Sequence, residues 1–260
     1  MASSTVAEAS VFPNVFESKH PLVRHKLTYL RRTDTGVRRF RELVWELTTL
    51  LAYEALADVS VAEVRVTTPL GPATGHVLAE RIALVPILRA GLGMVDPIWN
   101  LIPDAQVGHI GLFRDEETLR PIEYYCKLPP ASQVDVCFLL DPMLATGGSA
   151  VTACNILKRH GMRHIKYVGL IAAPQGIARM HEAHPDVDIH IAAADSCLND
   201  KGYIVPGLGD AGDRLFGTKL DEAVHTQVTQ GQTEPPPFGA GSPTSGPHTA
   251  GTQPALTEDP

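Results

Sequence analysis

Leu139-Leu140-Asp141-Pro142-Met143-Leu144-Ala145-Thr146-Gly147-Gly148-Ser149 is an apolar run that stops at an acidic residue, crosses a short loop and opens a helix through Thr-Gly-Gly-Ser. Small residues at a helix start let backbone N–H groups approach an anion, the hydroxyls of Thr146 and Ser149 add donors, and the helix dipole favours negative charge. A phosphate suits that position. Asp141 can then accept hydrogen bonds from the vicinal hydroxyls of a ribose whose 5′-phosphate occupies the loop. The spacing G-x-x-x-x-G-K-[ST] is absent and no lysine lies inside the turn, which excludes a Walker A loop and a kinase reading. Taken alone, Thr-Gly-Gly-Ser would equally suit a tight strand-to-helix turn; the strand and Asp141 in front of it add the weight.

Similar apolar runs lie on both sides: Ile82 to Leu88, Val107 to Leu112, Ile165 to Ile171 and, more weakly, Ile189 to Ala194. They alternate with helical stretches such as Ala150 to His160 and Ile177 to His184. Continuous apolar strands separated by helices predict an α/β fold, doubly wound around a mostly parallel sheet, with ligands bound beyond the carboxyl ends of the strands. Further upstream, Phe40, Leu43, Val44, Leu47, Leu50 and Leu51 recur at helical spacing between Val37 and Val59, and Pro21 to Leu27 reads as a shorter helix with proline in its first turn. Packing or subunit contact is the expected role of both.

The 260 residues carry a net charge of −7 with 44% hydrophobic residues, enough for a sizeable core. The acidic balance argues against a surface that neutralises nucleic acid, so any anion must be gripped locally. Cys126, Cys137, Cys154 and Cys197 form no CxxC pair, which fits reduced thiols rather than zinc or a disulfide framework. No signal peptide and no membrane-spanning run is visible, and a cytoplasmic location is expected, with no membrane partner. From 221 to 260 the composition turns to Pro, Gly, Thr, Ser and Gln, which predicts a disordered tail after a domain spanning 11–220.

The stretch Asp141 to Ser149 resembles the ribose-phosphate loop of type I phosphoribosyltransferases, although Pro142 takes the place of the usual second acid. In that form it is similar to the uracil phosphoribosyltransferases in particular. Three further segments support the likeness: Pro86-Ile87-Leu88-Arg89-Ala90-Gly91-Leu92-Gly93-Met94, Arg114-Asp115-Glu116-Glu117-Thr118, and Gly202 to Arg214, which includes Pro206-Gly207-Leu208-Gly209-Asp210-Ala211-Gly212-Asp213. The resemblance covers about residues 15 to 219. It implies a small base-binding hood beside the sheet, and conversion of uracil and 5-phosphoribosyl 1-diphosphate (PRPP) to UMP and diphosphate. It also implies Mg²⁺ carried on PRPP with no direct protein ligand, a water-mediated contact to Asp210, a GTP effector and a homo-oligomer.

By the same resemblance PRPP is held by Arg89, Arg114, Asp210 and the loop Asp141, Pro142, Met143, Leu144, Ala145, Thr146, Gly147, Gly148 and Ser149. Asp141, Arg89 and Asp210 are the candidate catalytic residues, and uracil is read by the backbone at Ile204, Gly209, Asp210 and Ala211. Read without the family, Arg89 serves a structural ion pair as readily as a diphosphate, Asp115 to Glu117 are better explained as a solvated hairpin, and 202–212 also fits a glycine-rich surface loop. Asp213 and Arg214 are close enough in sequence to form a supporting pair. His181-Glu182-Ala183-His184 is one residue short of His-Glu-x-x-His and reads as a helix end. His20, His25, His160 and His164 have no second ligand at useful spacing and read as solvated. Two other functions stay open: a phosphoribosyltransferase for another base, and a regulator of the same fold that senses nucleotides and binds RNA.

Overall fold

A computed structural model describes residues 12–114 and 121–218; the expected tail at 221–260 and the acidic turn Asp115 to Glu117 lie outside the described residues. In chain order the elements begin with β1 (Val15–Glu17), α1 (Pro21–Arg31), α2 (Val37–Ala55), β2 (Val61–Thr68), β3 (Gly71–Leu78) and β4 (Ile82–Leu88). A 3₁₀ turn (Ala90–Met94) leads into α3 (Val95–Leu101), β5 (Gln106–Val107), β6 (His109–Arg114), β7 (Pro121–Lys127), β8 (Val136–Leu140) and β9 (Met143–Leu144). The chain continues through α4 (Gly148–His160), β10 (His164–Ala172), α5 (Pro174–Ala183), β11 (Asp188–Ala194), β12 (Cys197–Leu198), β13 (Ile204–Val205) and α6 (Ala211–Phe216).

Among the described residues nine strands share one sheet, ordered β1-β11-β10-β8-β4-β6-β7, with β5 beside β4 and β9 beside β10. All pairings in it are parallel except β6 with β7. The expected runs are buried strands because both faces are covered. On β8, Val136, Phe138 and Leu140 pack with α1, α2, α3 and α6, whereas Cys137 and Leu139 pack with α4 and α5. This is the period-2 alternation of a strand between two layers of helices. From β4 the chain moves outward to β6 and then returns to the other side of β4 as β8, so the order reverses between β4 and β8. A crevice opens at such a switch point beyond the carboxyl ends. Arg89 and Asp141 are the first residues past these two strands.

Several expected boundaries shift. The run from Val107 to Leu112 is split at Gly108, whose N–H donates to the Leu84 carbonyl at 2.9 Å and which has no room for a side chain beside Leu128, Pro129 and the Lys127 carbonyl. α5 starts earlier than Ile177, with Pro174 in its first turn, where its missing N–H costs nothing. The hairpin of β2 and β3 is absent from the sequence reading because it is exposed along nearly its whole length and presents no buried stripe. No helix among the described residues is long and apolar enough to cross a membrane.

The 3₁₀ turn after β4 sits directly on the end of β8. A β-carbon added at Gly91 would lie 2.3 Å from the Leu140 carbonyl oxygen and 3.0 Å from Pro86 Cβ. Both obstacles are backbone or ring atoms that cannot rotate away. Gly91→Ala is therefore expected to cost about 1–3 kcal/mol by overpacking, read as a lower denaturation midpoint, and to move Arg89 away from Asp141.

Candidate active site

The loop expected to hold phosphate is zipped onto β10. Asp141 N–H donates to Val168 O at 3.2 Å, Pro142 O accepts from Leu170 and Ile171 at 3.0 and 3.1 Å, and Ala173 N–H donates to Leu144 O at 2.9 Å. The Tyr167 hydroxyl donates to the Asp141 carbonyl at 2.8 Å. Gly147, at φ 76°, caps α4. A glycine cap has no side chain to occupy the first-turn N–H groups, which leaves them for an anion. From below, Gly176 of α5 lets that helix press against the loop: a β-carbon there would meet the Ala145 and Leu144 carbonyls at 2.5 and 2.6 Å. The Asp141 carboxyl, which among the described residues accepts only a long 3.5 Å bond from Met143 N–H, is pushed up to about 7 by desolvation.

Across the crevice, Arg89 is exposed and its Nη2 lies 3.3 Å from Asp213 Oδ1. Asp210, also exposed, caps α6 by accepting from Asp213 N–H at 2.9 Å. Gly212 lies between these groups: a β-carbon there would be 3.3 Å from Asp210 Oδ1 and 3.9 Å from Arg89 Nη2. Arg89, Asp210 and Asp213 thus form one cluster at the start of α6. The expected Asp213–Arg214 pair is not formed. Asp213 faces Arg89, while Arg214 donates to the Leu30, Leu208 and Arg32 carbonyls at 2.9, 2.8 and 2.6 Å and lies 4.3 Å over the Phe40 ring. An α-helical turn sends neighbouring residues to different sides.

Ile204, Gly209, Asp210 and Ala211 all lie on the segment joining β13 to α6. Ile204 pairs with Leu198, and the peptide Val205–Pro206 is cis. At Gly207, φ is 65° and a β-carbon would sit 2.0 Å from the Ile204 carbonyl oxygen, so the turn closes only around glycine. The turn is held by Asp195, which follows β11. Its carboxylate accepts from Gly207 N–H at 2.9 Å and from both terminal nitrogens of Arg31, and Arg31 Nη1 also donates to the Gly207 carbonyl at 2.7 Å. The backbone of Arg114 closes β6 opposite Pro121, at the same end of the sheet.

A family model described as uracil phosphoribosyltransferase matches residues 17–218. The chain belongs to the uracil phosphoribosyltransferase family. It is 65% identical over 204 residues to the uracil phosphoribosyltransferase of Roseiflexus castenholzii, covering 78% of this chain and 98% of that one. To the enzyme of that name from Halalkalibacterium halodurans it is 59% identical over 206 residues, 79% and 99% of the two chains. A solved structure of the AQ2163 protein from Aquifex aeolicus superimposes with a TM-score of 0.76 at 41% identity, covering 80% of this chain and 100% of that one.

Two parts of the site in this family member were invisible in sequence. The Arg31–Asp195–Gly207 bridge joins residues from α1, the end of β11 and the candidate base loop, and only folding brings them together. Arg179 of α5 reaches the phosphate loop with Nη1 3.4 Å from the Thr146 carbonyl. In sequence it is one cation on the polar face of a short helix. The decoy His181-Glu182-Ala183-His184 does end α5, with His184 as its cap, and no group of three metal-binding side chains occurs among the described residues.

The Asp195 side chain is only 4% exposed. Asp195→Ala strands the Arg31 guanidinium and the Gly207 N–H, an expected loss of about 2–4 kcal/mol. Amide exchange should rise in 196–209 well before it rises in β4 or β8.

Proposed function

We propose that the protein transfers the 5-phosphoribosyl group of PRPP to N1 of uracil, giving UMP and diphosphate. The observation that carries this reading is the placing of Arg89 and Asp141 just past the neighbouring strands β4 and β8 at the switch point, with a glycine-capped helix start at the end of the loop that Asp141 opens. The loop Asp141 to Ser149 takes the 5′-phosphate, and Asp141 accepts from the ribose hydroxyls. Arg89 and Arg114 take the diphosphate, for which a planar, permanently charged fork is suited. The N1–C1′ bond forms as the C1′–O bond to diphosphate breaks and the proton on N1 is released. Positive charge develops on the ribose ring, and positioning and electrostatics lower the barrier without a covalent nucleophile. The backbone around Ile204 and Gly209 to Ala211 reads the carbonyl and N–H edge of uracil; cytosine reverses a donor and an acceptor there and leaves buried groups unpaired.

Mg²⁺ fits this site as a passenger on the diphosphate. It keeps most of its waters, and the exposed Asp210 offers a carboxylate to accept from one of them. When bound it neutralises the leaving group. We further propose a cytoplasmic enzyme of pyrimidine salvage, activated by GTP, that works as a homo-oligomer. The first two helices expose Leu22, Tyr29, Trp45 and Tyr53, and the β2–β3 hairpin exposes Val66, Leu70 and Val77, so each offers an apolar subunit contact.

The deciding assay supplies uracil, PRPP and Mg²⁺, with and without GTP, and follows UMP. UMP formation with strong preference over cytosine, adenine and hypoxanthine is the expected result; no UMP at any GTP concentration sinks the proposal. Asp141 gives a second test. Its carboxyl is raised in the folded protein, so it favours folding below its ordinary value of 3.8, and that contribution is lost as pH rises to about 7. Asp141→Asn should thus melt higher than the unsubstituted protein at pH 8 and alike near pH 4. The same substitution should lower kcat/KM for PRPP about 100-fold or more. The unsubstituted enzyme is expected to show a rising PRPP KM as pH falls below about 7, and the same substitution should flatten that rise.

A further inference from the structure

α5 starts under the phosphate loop, and its helical spacing places one cation beside the anion seat. Gly176 carries the loop's weight, with the Leu144 and Ala145 carbonyls against its α-carbon. Arg179 is three residues further on, hence on the same helix face. Helical side chains lean back toward the N-terminus, so Arg179 covers the turn that Gly176 opens. Its stem runs past Gly147: a β-carbon there would be 3.3 Å from Arg179 Cβ and 3.4 Å from Cδ. Its guanidinium ends beside Gly148, where a β-carbon would be 3.5 Å from Nη1, 3.9 Å from Cζ and 3.7 Å from the Thr146 hydroxyl oxygen.

Among the described residues the one hydrogen bond of this guanidinium is the 3.4 Å contact to the Thr146 carbonyl, long for an N–H···O bond. Among the described residues it has no carboxylate within salt-bridge distance, unlike Arg31, Arg81 or Arg89. Most of its five donors remain available. Arg179 is exposed, as are Arg24 and Arg163, which also have no acid within that distance among the described residues; its stem against Gly147 and its head beside Gly148 set it apart. We propose that Arg179 is a further binding residue for the 5′-phosphate of PRPP and UMP, reaching across from α5 to the oxygens that the first turn of α4 leaves exposed. The inference rests on the proposed function and adds a cation to a seat that the loop sequence supplies only with backbone N–H groups and hydroxyls. It also confines Arg179 to the phosphoryl end of the substrate, since Arg89, one of the two arginines proposed for the diphosphate, lies beside Asp213 of α6.

The two ends can be separated with fragments of the substrate. With the full-length protein, ribose 5-phosphate and diphosphate are each tested as inhibitors competing with PRPP, for the unsubstituted enzyme and for Arg179→Ala, Arg179→Gln and Arg179→Lys. In Arg179→Ala the Ki of ribose 5-phosphate and the KM of PRPP should rise about tenfold, the size of one charge-assisted bond at a partly exposed site. Arg179→Lys should recover most of the loss, and the difference should shrink in high salt. The Ki of diphosphate and the KM of uracil should stay within about twofold, since neither ligand meets Arg179. Equal inhibition by ribose 5-phosphate in Arg179→Ala and an active unsubstituted enzyme overturns the inference and leaves the proposed function standing. A parallel rise for ribose 5-phosphate and diphosphate overturns it too, because that marks a collapsed site. Should Arg179→Ala fail to fold, Arg179→Gln carries the same comparison. An unsubstituted protein that neither makes nor binds UMP overturns both.

Discussion

The lateral pairing of β4 with β8 is the constraint on which the rest of the site depends. Ile82 to Pro86 lie opposite Val136 to Leu140 in parallel register, so β8 ends beside Pro86 while β4 runs on to Leu88 in the same direction. Arg89 and Asp141 then stand on neighbouring strands although many residues separate them in the chain. Gly91 completes the junction, because the 3₁₀ turn can rest on the Leu140 carbonyl only without a side chain. A ligand that spans the two strand ends is met by a cation on one side and a carboxylate with a helix start on the other.

The loop after β8 is rigid for a separate reason. β10 continues beyond the end of β8, and its N–H groups at Leu170 and Ile171 both close on Pro142 O. Proline costs nothing at this point, since the strand needs an acceptor there and not a donor. The same anchoring buries Asp141 enough to raise its carboxyl to about 7. The charged form is thereby disfavoured, so this carboxyl costs stability once it ionises.

The base loop is built differently. It has little regular structure and depends on two bridges from distant elements: Arg31 with Asp195, and Arg214 with the carbonyls of Leu30, Arg32 and Leu208. Both reach the end of α1, so that helix is tied to the turn at Gly207 and to α6 through hydrogen bonds as well as to the core through Val23, Leu27 and Leu30. Reading α1 as a packing or subunit-contact helix captured its apolar face and missed this polar one.

The sequence alone determined the strands β4, β8, β10 and β11, the helices α1, α2, α4 and α5 in outline and the glycine-rich turn behind Asp141, because these rest on local patterns of apolar runs and helical spacing, and it carried the family through the resemblance of four motifs. It did not reveal the β2–β3 hairpin, which lacks a buried face, or the break at Gly108, which is imposed by Lys127 to Pro129. Nor did it pair Arg89 with Asp213, tie Arg31 to Asp195, or bring Arg179 to Gly148. Those contacts join residues from separate elements. Only the tertiary structure decides them, because a charged side chain on a polar helix face looks the same in sequence whether it meets solvent, a carbonyl or a ligand.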